Sequence, residues 1–371
     1  MAGGRDDSRP VLARVPVAIV VALTLVVGAT CLAVGVGLAP HLAKEGLTST
    51  SAVAVLAALA GLVLLVLGFR SMWRTGHPVA RLVAAPLVIV LVATAALTLG
   101  QAVAATVVPR AALGDRTPAS LGLRYEDVTA RTADGVRLAG WYVPSANGAA
   151  VVLCPGAGST RSSVLDRAAV LAKWGYGVLM VDARGHDGSE GRAMDFGWYG
   201  DQDIRAAVDL LTRRSDVKGA RVAVVGLSMG GEEAIGAFAS DARIKAVVAE
   251  GATNRVAGDK AWLSDELGLR GLLQEQLDRL TYGATDLLTP ASPPPTLRAS
   301  AATAAPRPLL LVAAADSFEE VGAARFIAAG SPGSVTVWLA PGGHTGALAA
   351  APVEWQRRVV RFLDAALGVA H

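Results

Sequence analysis

The sequence predicts an α/β domain, a mostly parallel sheet covered by helices, preceded by three transmembrane helices. Three observations carry this. The first 108 of 371 residues hold three long apolar runs without a charged residue inside them. From about residue 124, short apolar strands alternate with helical stretches, the pattern of a parallel sheet covered on both faces. One of those strands, 221–225, runs through Gly226-Leu227-Ser228-Met229-Gly230-Gly231 directly into a helix beginning at Glu232.

The membrane region comes first. Hydrophobic residues make up 53% of the chain, and the excess is concentrated in residues 1–108. The runs cover about 15–40, 51–69 and 82–108. At about 1.5 Å rise per residue these are long enough to cross a bilayer as helices. A cleaved signal peptide would explain the first run alone, but it is longer than a signal's apolar core and two more runs follow. Buried soluble helices would rarely stay uncharged over such lengths. Arg5, Arg9 and Arg14 precede the first run. Arg70, Arg74 and Arg81 lie between the second and third, whereas the first loop has only Lys44, offset by Glu45. The positive-inside rule makes the tail and second loop cytoplasmic, so the chain after residue 108 is expected on the extracytoplasmic side. Arg110 and Arg116 count against that orientation. No polar residue sits mid-span in a way that suggests transport, so the runs read as a multi-pass anchor.

Other classes are disfavoured by composition. A net charge of +3 without a dense basic cluster gives no support for nucleic-acid binding. The two cysteines, Cys31 and Cys154, lie in an apolar run and at a strand end, so no disulfide is expected between them. No Cys/His spacing suits a metal, and no cofactor motif is present.

Residues 109–123 are rich in Gly, Pro, Asp and Ser and read as a linker. Residues 124–144 read as a hairpin around Asp134-Gly135. Apolar strands are then expected at 149–154, 176–181, 222–225, 244–249, 309–313 and 335–339. Helices are expected at 162–174, 201–213, after Ser228, and at 353–367. The 201–213 helix carries Ile204, Ala207, Val208 and Leu211 on one stripe. In such sheets the active site lies beyond the carboxyl ends of the strands. Residues 253–306 break the rhythm with a helical stretch at 262–282 and the Pro-rich 290–295. An insertion this long near the strand ends is expected to act as a cap that shapes specificity.

The strand–G-x-S-x-G–helix arrangement is a nucleophile elbow. The sharp turn lifts the Ser228 hydroxyl above the sheet edge, and the crowding there requires glycine at 226 and 230. A serine hydroxyl needs a base, and the base needs an orienting acid. Of five histidines, His41 and His77 fall in the membrane region and His371 is the last residue. His344 follows the final strand in a Gly-rich turn and is the expected base. His186 is expected to organise its own loop with Asp182 and Arg184. Asp316, after the penultimate strand, is the expected acid, with Glu250 the runner-up. Backbone amides of Met229 and Ala157 are the expected oxyanion donors, the latter from the loop Pro155-Gly156-Ala157-Gly158.

On these residues the chain from about 124 to 371 resembles the α/β-hydrolase fold superfamily. It is most similar to membrane-anchored serine hydrolases, near the serine aminopeptidase-like and dienelactone hydrolase-like groups. The motifs that carry the resemblance are Gly226–Gly231, Asp182-Ala183-Arg184-Gly185-His186, Asp316 and Gly343-His344. The family's His-Gly oxyanion motif stands here as Pro155-Gly156, which keeps the backbone donor but alters the loop. The resemblance implies a Ser228–His344–Asp316 triad and no cofactor, and it does not cover the three apolar runs. The expected activity is cleavage of an acyl bond, a carboxylic ester first, on a small-molecule or lipid-like acyl substrate near the membrane. A peptidase or amidase on the same triad is the alternative. A second alternative is a non-catalytic membrane sensor or scaffold that retains a hydrolase domain. A protein partner is unknown.

Overall fold

The computed structural model describes residues 11–75, 78–192, 195–219 and 221–370. Arg5, Arg9, His77 and His371 lie outside the described residues. The chain forms two compact units: Met1–Pro109 together with Gly283–Thr285, and Arg110–Tyr282 with Asp286–His371.

In the first unit, the three apolar runs form helices α1 (Val11–Glu45), α2 (Ser49–Thr75) and α3 (Pro78–Thr106). Within them, Val17–Glu45, Ser49–Arg74 and Leu82–Thr106 are long and apolar enough to cross a membrane. Small residues let α1 and α2 approach closely, as at helix contacts in lipid. A Cβ on Gly35 would lie 2.6 Å from the Ala58 backbone nitrogen, and one on Gly61 would lie 2.5 Å from that of Leu32. His41, at the end of α1, bonds through Nδ1 to Glu45 at 2.8 Å and through Nε2 to the Val107 carbonyl at 3.0 Å. Its ring nitrogens are occupied within this unit.

The second unit begins with strands β1 (Glu126–Arg131), β2 (Arg137–Val143) and β3 (Ala150–Cys154). Helix α4 (Leu165–Lys173), β4 (Gly177–Val181), α5 (Gly200–Thr212), β5 (Val222–Leu227), α6 (Met229–Ser240) and β6 (Ile244–Glu250) follow. Then come α7 (Leu263–Leu267), α8 (Leu269–Leu288, of which Gly283–Thr285 group with the first unit) and α9 (Leu297–Ala304). The chain closes with β7 (Leu309–Ala314), α10 (Phe318–Ala328), β8 (Val335–Ala340), α11 (Ala347–Ala350) and α12 (Pro352–Leu367). The eight strands form one sheet in the order β1-β2-β4-β3-β5-β6-β7-β8. The β1–β2 and β2–β4 pairs are antiparallel, and β4-β3-β5-β6-β7-β8 are parallel. Strands buried on both faces need apolar residues at every position, which is why β3, β4, β5 and β7 read as unbroken apolar runs. Successive residues alternate between two cores. Val152, Leu179, Val224 and Leu311 pack under α5, α6 and α9. Val151, Leu153, Val225, Val248 and Val312 pack with Trp355 and Leu363 of α12.

Two segments differ from the sequence reading. Residues 110–123, read as linker, are fixed to this unit. Arg110 donates to the carbonyls of Asp187 and Ser189 at 2.6 and 2.7 Å, and Leu113, Leu121 and Leu123 pack on the α12-side core. Loop composition conceals these few anchoring leucines. The end of the 253–306 insertion is also not cap. In α9, Leu297, Ala301 and Ala304 are buried in the α6-side core beside Leu309 and Leu311, so the excursion from the sheet ends before α9.

Candidate active site

Ser228 occupies the tight turn between β5 and α6 with φ 52° and ψ −125°. A non-glycine residue at positive φ is strained, at a cost of order 1–3 kcal/mol, and persists only where its surroundings enforce it. Here the enforcement is steric and hydrogen-bonded. A Cβ on Gly226 would lie 2.1 Å from the Gly230 carbonyl oxygen, and one on Gly230 would lie 2.4 Å from that of Pro155. The Ser228 N–H donates to the Glu250 carbonyl at 2.7 Å, and the Ser228 carbonyl accepts from Gly231 and Glu232. The turn is thus clamped between the ends of β3, β5 and β6, and among the described residues the Ser228 side chain makes no hydrogen bond.

The expected oxyanion loop lies against this serine. The position a Gly156 Cβ would take is 3.2 Å from Ser228 Cβ, so any side chain there would crowd the serine. A turn follows, closed by the Ser159 N–H to the Gly156 carbonyl at 3.1 Å, with Gly158 at φ 66°. Ala157 is exposed at its tip. Met229 opens α6, so its N–H belongs to the first-turn amides that a helix leaves without an internal acceptor.

His344 reaches the same rim from the loop after β8. Gly251, directly after β6, has φ 74°, and a Cβ there would lie 2.8 Å from the His344 ring. Since Ser228 bonds to Glu250 and His344 rests on Gly251, both groups flank the end of one strand. The His344 Nδ1 lies 2.8 Å from Oε1 of Glu320, whose side chain is buried while that of His344 is half exposed. The second Glu320 oxygen accepts the Ala314 N–H at 2.8 Å.

The expected acid, Asp316, does not meet His344. Asp316 is exposed beyond β7 and has no hydrogen bond or ion pair among the described residues. The structure places on His344 a carboxylate one helical turn further on. Ser317 caps α10 and accepts the Glu320 N–H at 3.2 Å. In sequence, Ser317-x-x-Glu320 reads as a capping box, whose glutamate returns to the cap residue's own amide. The Glu320 side chain instead turns to Ala314 and His344.

Glu250, the runner-up acid, has another task. It pairs with Arg167 of α4 at 3.0 Å and accepts the Ala347 N–H at 3.0 Å and the Trp355 indole N–H at 3.2 Å. The same Arg167 nitrogen donates to the Thr345 carbonyl at 2.6 Å. A buried ion pair therefore holds the segment directly after His344, at Thr345 and Ala347. His186 is buried, with Nδ1 3.1 Å from the Arg184 carbonyl, as expected of a residue that shapes its own loop. Beside it, Asp182 accepts from the Arg161 backbone and guanidinium, tying the segment after the 155–158 loop to the end of β4. Burial nevertheless pushes the Asp182 carboxyl up to about 6, against the opposing hydrogen bond and charge of Arg161.

The first part of the insertion adjoins this rim. Glu232, in the first turn after Ser228, accepts the amides of Thr253 and Asn254 at 2.9 and 3.0 Å. Lys260 lies 3.2 Å from Glu319 and 3.7 Å from Asp278 of α8, and the rings of Trp262 and Phe318 are 5.5 Å apart. The helix carrying Glu320 is thereby joined to the insertion.

An eight-stranded, mostly parallel sheet with a strained serine after β5 and a histidine after β8 defines a class, and the chain has the α/β-hydrolase fold. More particularly, residues 145–295 match the family described as serine aminopeptidase, S33. Over its sheet and helices the chain is similar to an esterase from Pyrococcus furiosus, with TM-score 0.58 and 25% identity, covering 71% of this chain and 99% of that one. An uncharacterized protein of Mycobacterium tuberculosis is 41% identical over 113 residues, 30% of this chain and 40% of the relative. An uncharacterized membrane protein of Saccharomyces cerevisiae is 30% identical over 121 residues, 32% of this chain and 42% of the relative. The matched region thus spans less than half the length of these curated relatives.

Proposed function

We propose that this hydrolase is membrane-anchored and cleaves a carboxylic ester through an acyl-enzyme on Ser228. The observation that carries the reading is the strained Ser228 turn bonded to Glu250, with the His344–Glu320 pair resting on the next residue, Gly251. In this mechanism His344 Nδ1–H donates to Glu320, which leaves Nε2 to accept the Ser228 proton as Oγ attacks the acyl carbon. The amides of Met229 and Ala157 stabilise the tetrahedral oxyanion. His344 then returns the proton to the leaving alcohol, and a water deprotonated by the same nitrogen deacylates Ser228. Glu320 replaces Asp316 in the orienting role.

The similarity to an esterase along nearly all of that protein's length supports an ester. The match to a family described as a serine aminopeptidase supports amide cleavage as the second reading. The three apolar helices support anchorage, and the basic flanks support an extracytoplasmic active site facing a small or lipid-like acyl substrate. The test is a panel of p-nitrophenyl esters and aminoacyl anilides offered to the full chain in nanodiscs. Ester turnover that disappears in Ser228→Ala is expected. Anilide turnover with inert esters would replace the ester reading by the peptidase one, and turnover surviving in Ser228→Ala would overturn both.

A further inference from the structure

Helix α8 has its polarity reversed. The side turned into the protein carries Glu275, Asp278 and Thr281, all buried. Glu275 accepts the Ser264 N–H at 2.8 Å, and Asp278 faces Lys260. The opposite side is leucine. Leu269, Leu273, Leu280 and Leu287 are 72%, 59%, 54% and 88% exposed. At ~100° per residue these four lie within ~40° of one another on the helix wheel. Exposed Arg270 and Arg279 border this strip on its two sides. A surface helix of a water-soluble domain buries its apolar face and exposes its polar one. An apolar strip, interrupted by exposed Gln276 and edged by basic residues, is the pattern of a helix lying in a membrane interface.

We infer that the leucine face of α8 seats in the headgroup–acyl boundary of the bilayer. Lipid is the occupant because the same chain carries three helices long and apolar enough to cross it. Only Val107, Val108 and Pro109 separate the end of α3 from Arg110, which is hydrogen-bonded into the second unit. That tether spans at most about 14 Å of extended chain. The arginines flanking the strip suit anionic headgroups. Through Lys260 and the Trp262–Phe318 contact, the seated helix is joined to α10, which carries Glu320. The inference rests on α1–α3 spanning the membrane and is independent of the triad.

The test uses the full chain with Cys31→Ala and Cys154→Ala, one copy per nanodisc of mixed zwitterionic and anionic lipid. An environment-sensitive NBD label is placed by Leu280→Cys, by Leu287→Cys in a second protein, and by Asp286→Cys as the solvent-facing comparison. For the two leucine positions, lipids carrying a shallow doxyl group should remove more than about half the emission, as for a side chain ~5–10 Å into the boundary. Aqueous iodide should leave those labels nearly unquenched while quenching the Asp286→Cys label. Iodide quenching of all three labels alike would overturn the inference. So would shielding from both quenchers, which would mean that protein covers the strip. Emission transfer between labels appearing only when two copies share a disc would assign the strip to a second copy and overturn it too. Release of the chain from membranes by alkaline carbonate would overturn the spanning reading and this inference with it. Retention with iodide-accessible leucine positions would overturn this inference alone.

Discussion

Exchanging the two candidate carboxylates for amides separates their roles. In Glu320→Gln the shape is kept and the charge is lost. The site demands two acceptors, one for His344 Nδ1–H at 2.8 Å and one for the Ala314 N–H at 2.8 Å. A glutamine supplies one acceptor and one donor. If its oxygen stays on Ala314, its NH2 faces His344 and moves the imidazole proton to Nε2, the atom required to accept from Ser228. If it flips, two donors oppose each other in a buried position, at a cost of about 1–3 kcal/mol. Either arrangement gives the wrong tautomer or a misplaced ring, and comparable exchanges of a triad carboxylate lower kcat by about 10⁴. That corresponds to about 5.5 kcal/mol of transition-state stabilisation. Asp316→Asn changes an exposed group without a partner, so its effect should lie within about 0.5 kcal/mol, or about two- to three-fold. The assay is steady-state hydrolysis of a soluble p-nitrophenyl ester, with fluorophosphonate labelling rates as a second readout. A collapse in Asp316→Asn with a nearly unaffected Glu320→Gln would refute the assignment and restore Asp316 as the acid.

Three more outcomes follow from the same geometry. Gly226→Ala would put a methyl 2.1 Å from the Gly230 carbonyl; overpacking against backbone should cost about 3 kcal/mol or more, read as a lower thermal midpoint, and an unchanged midpoint would contradict the clamped turn. Arg167→Met leaves Glu250 buried without its cation and frees the Thr345 carbonyl; a loss of about 3–5 kcal/mol in stability is expected, with kcat falling more than KM rises because the His344 loop is released. Asp182 has its folded-state pKa raised to about 6 by burial, so protonation favours the folded state. Its contribution is complete below the unfolded value near 4 and is lost as pH rises through 6. Chemical denaturation should therefore show Asp182 contributing a gain of roughly 1.4 kcal/mol on acidification from pH 7.5 to 5, and the total gain should be smaller by about that amount in Asp182→Asn. Glu126 and Glu354, held low by hydrogen bonds from their arginine partners, oppose this gain only at more acidic pH.

Much of the fold was legible because its causes are local. Doubly buried strands must be apolar throughout, so β3, β4, β5 and β7 announce themselves, and the glycines of the elbow are dictated by contacts under 2.5 Å. His344 could be singled out because it alone of the histidines follows a terminal strand in a Gly-rich turn. Its carboxylate neighbour could not. Asp316 stands where a strand ends, but an exposed side chain gains nothing by being near; Glu320 wins because it is buried with both oxygens satisfied, a fact of three-dimensional packing. Its sequence signal, Ser317-x-x-Glu320, has a local explanation that conceals the distant one. The polarity of α8 was half legible. Its leucines recur at helical spacing, yet spacing cannot say which face is buried, and the usual assumption places them inward. The buried Glu275 and Asp278 show the opposite.

Whether Ser228 is the acylated nucleophile can be settled by intact-mass and peptide-level mass spectrometry after reaction with a fluorophosphonate. A single adduct is expected, on the peptide containing Ser228. It should be absent in Ser228→Ala, slowed by about 10³-fold or more in His344→Gln, and formed at nearly the wild-type rate in Asp316→Asn. An adduct on another residue, or none on a folded wild-type chain that still hydrolyses esters, would contradict the mechanism.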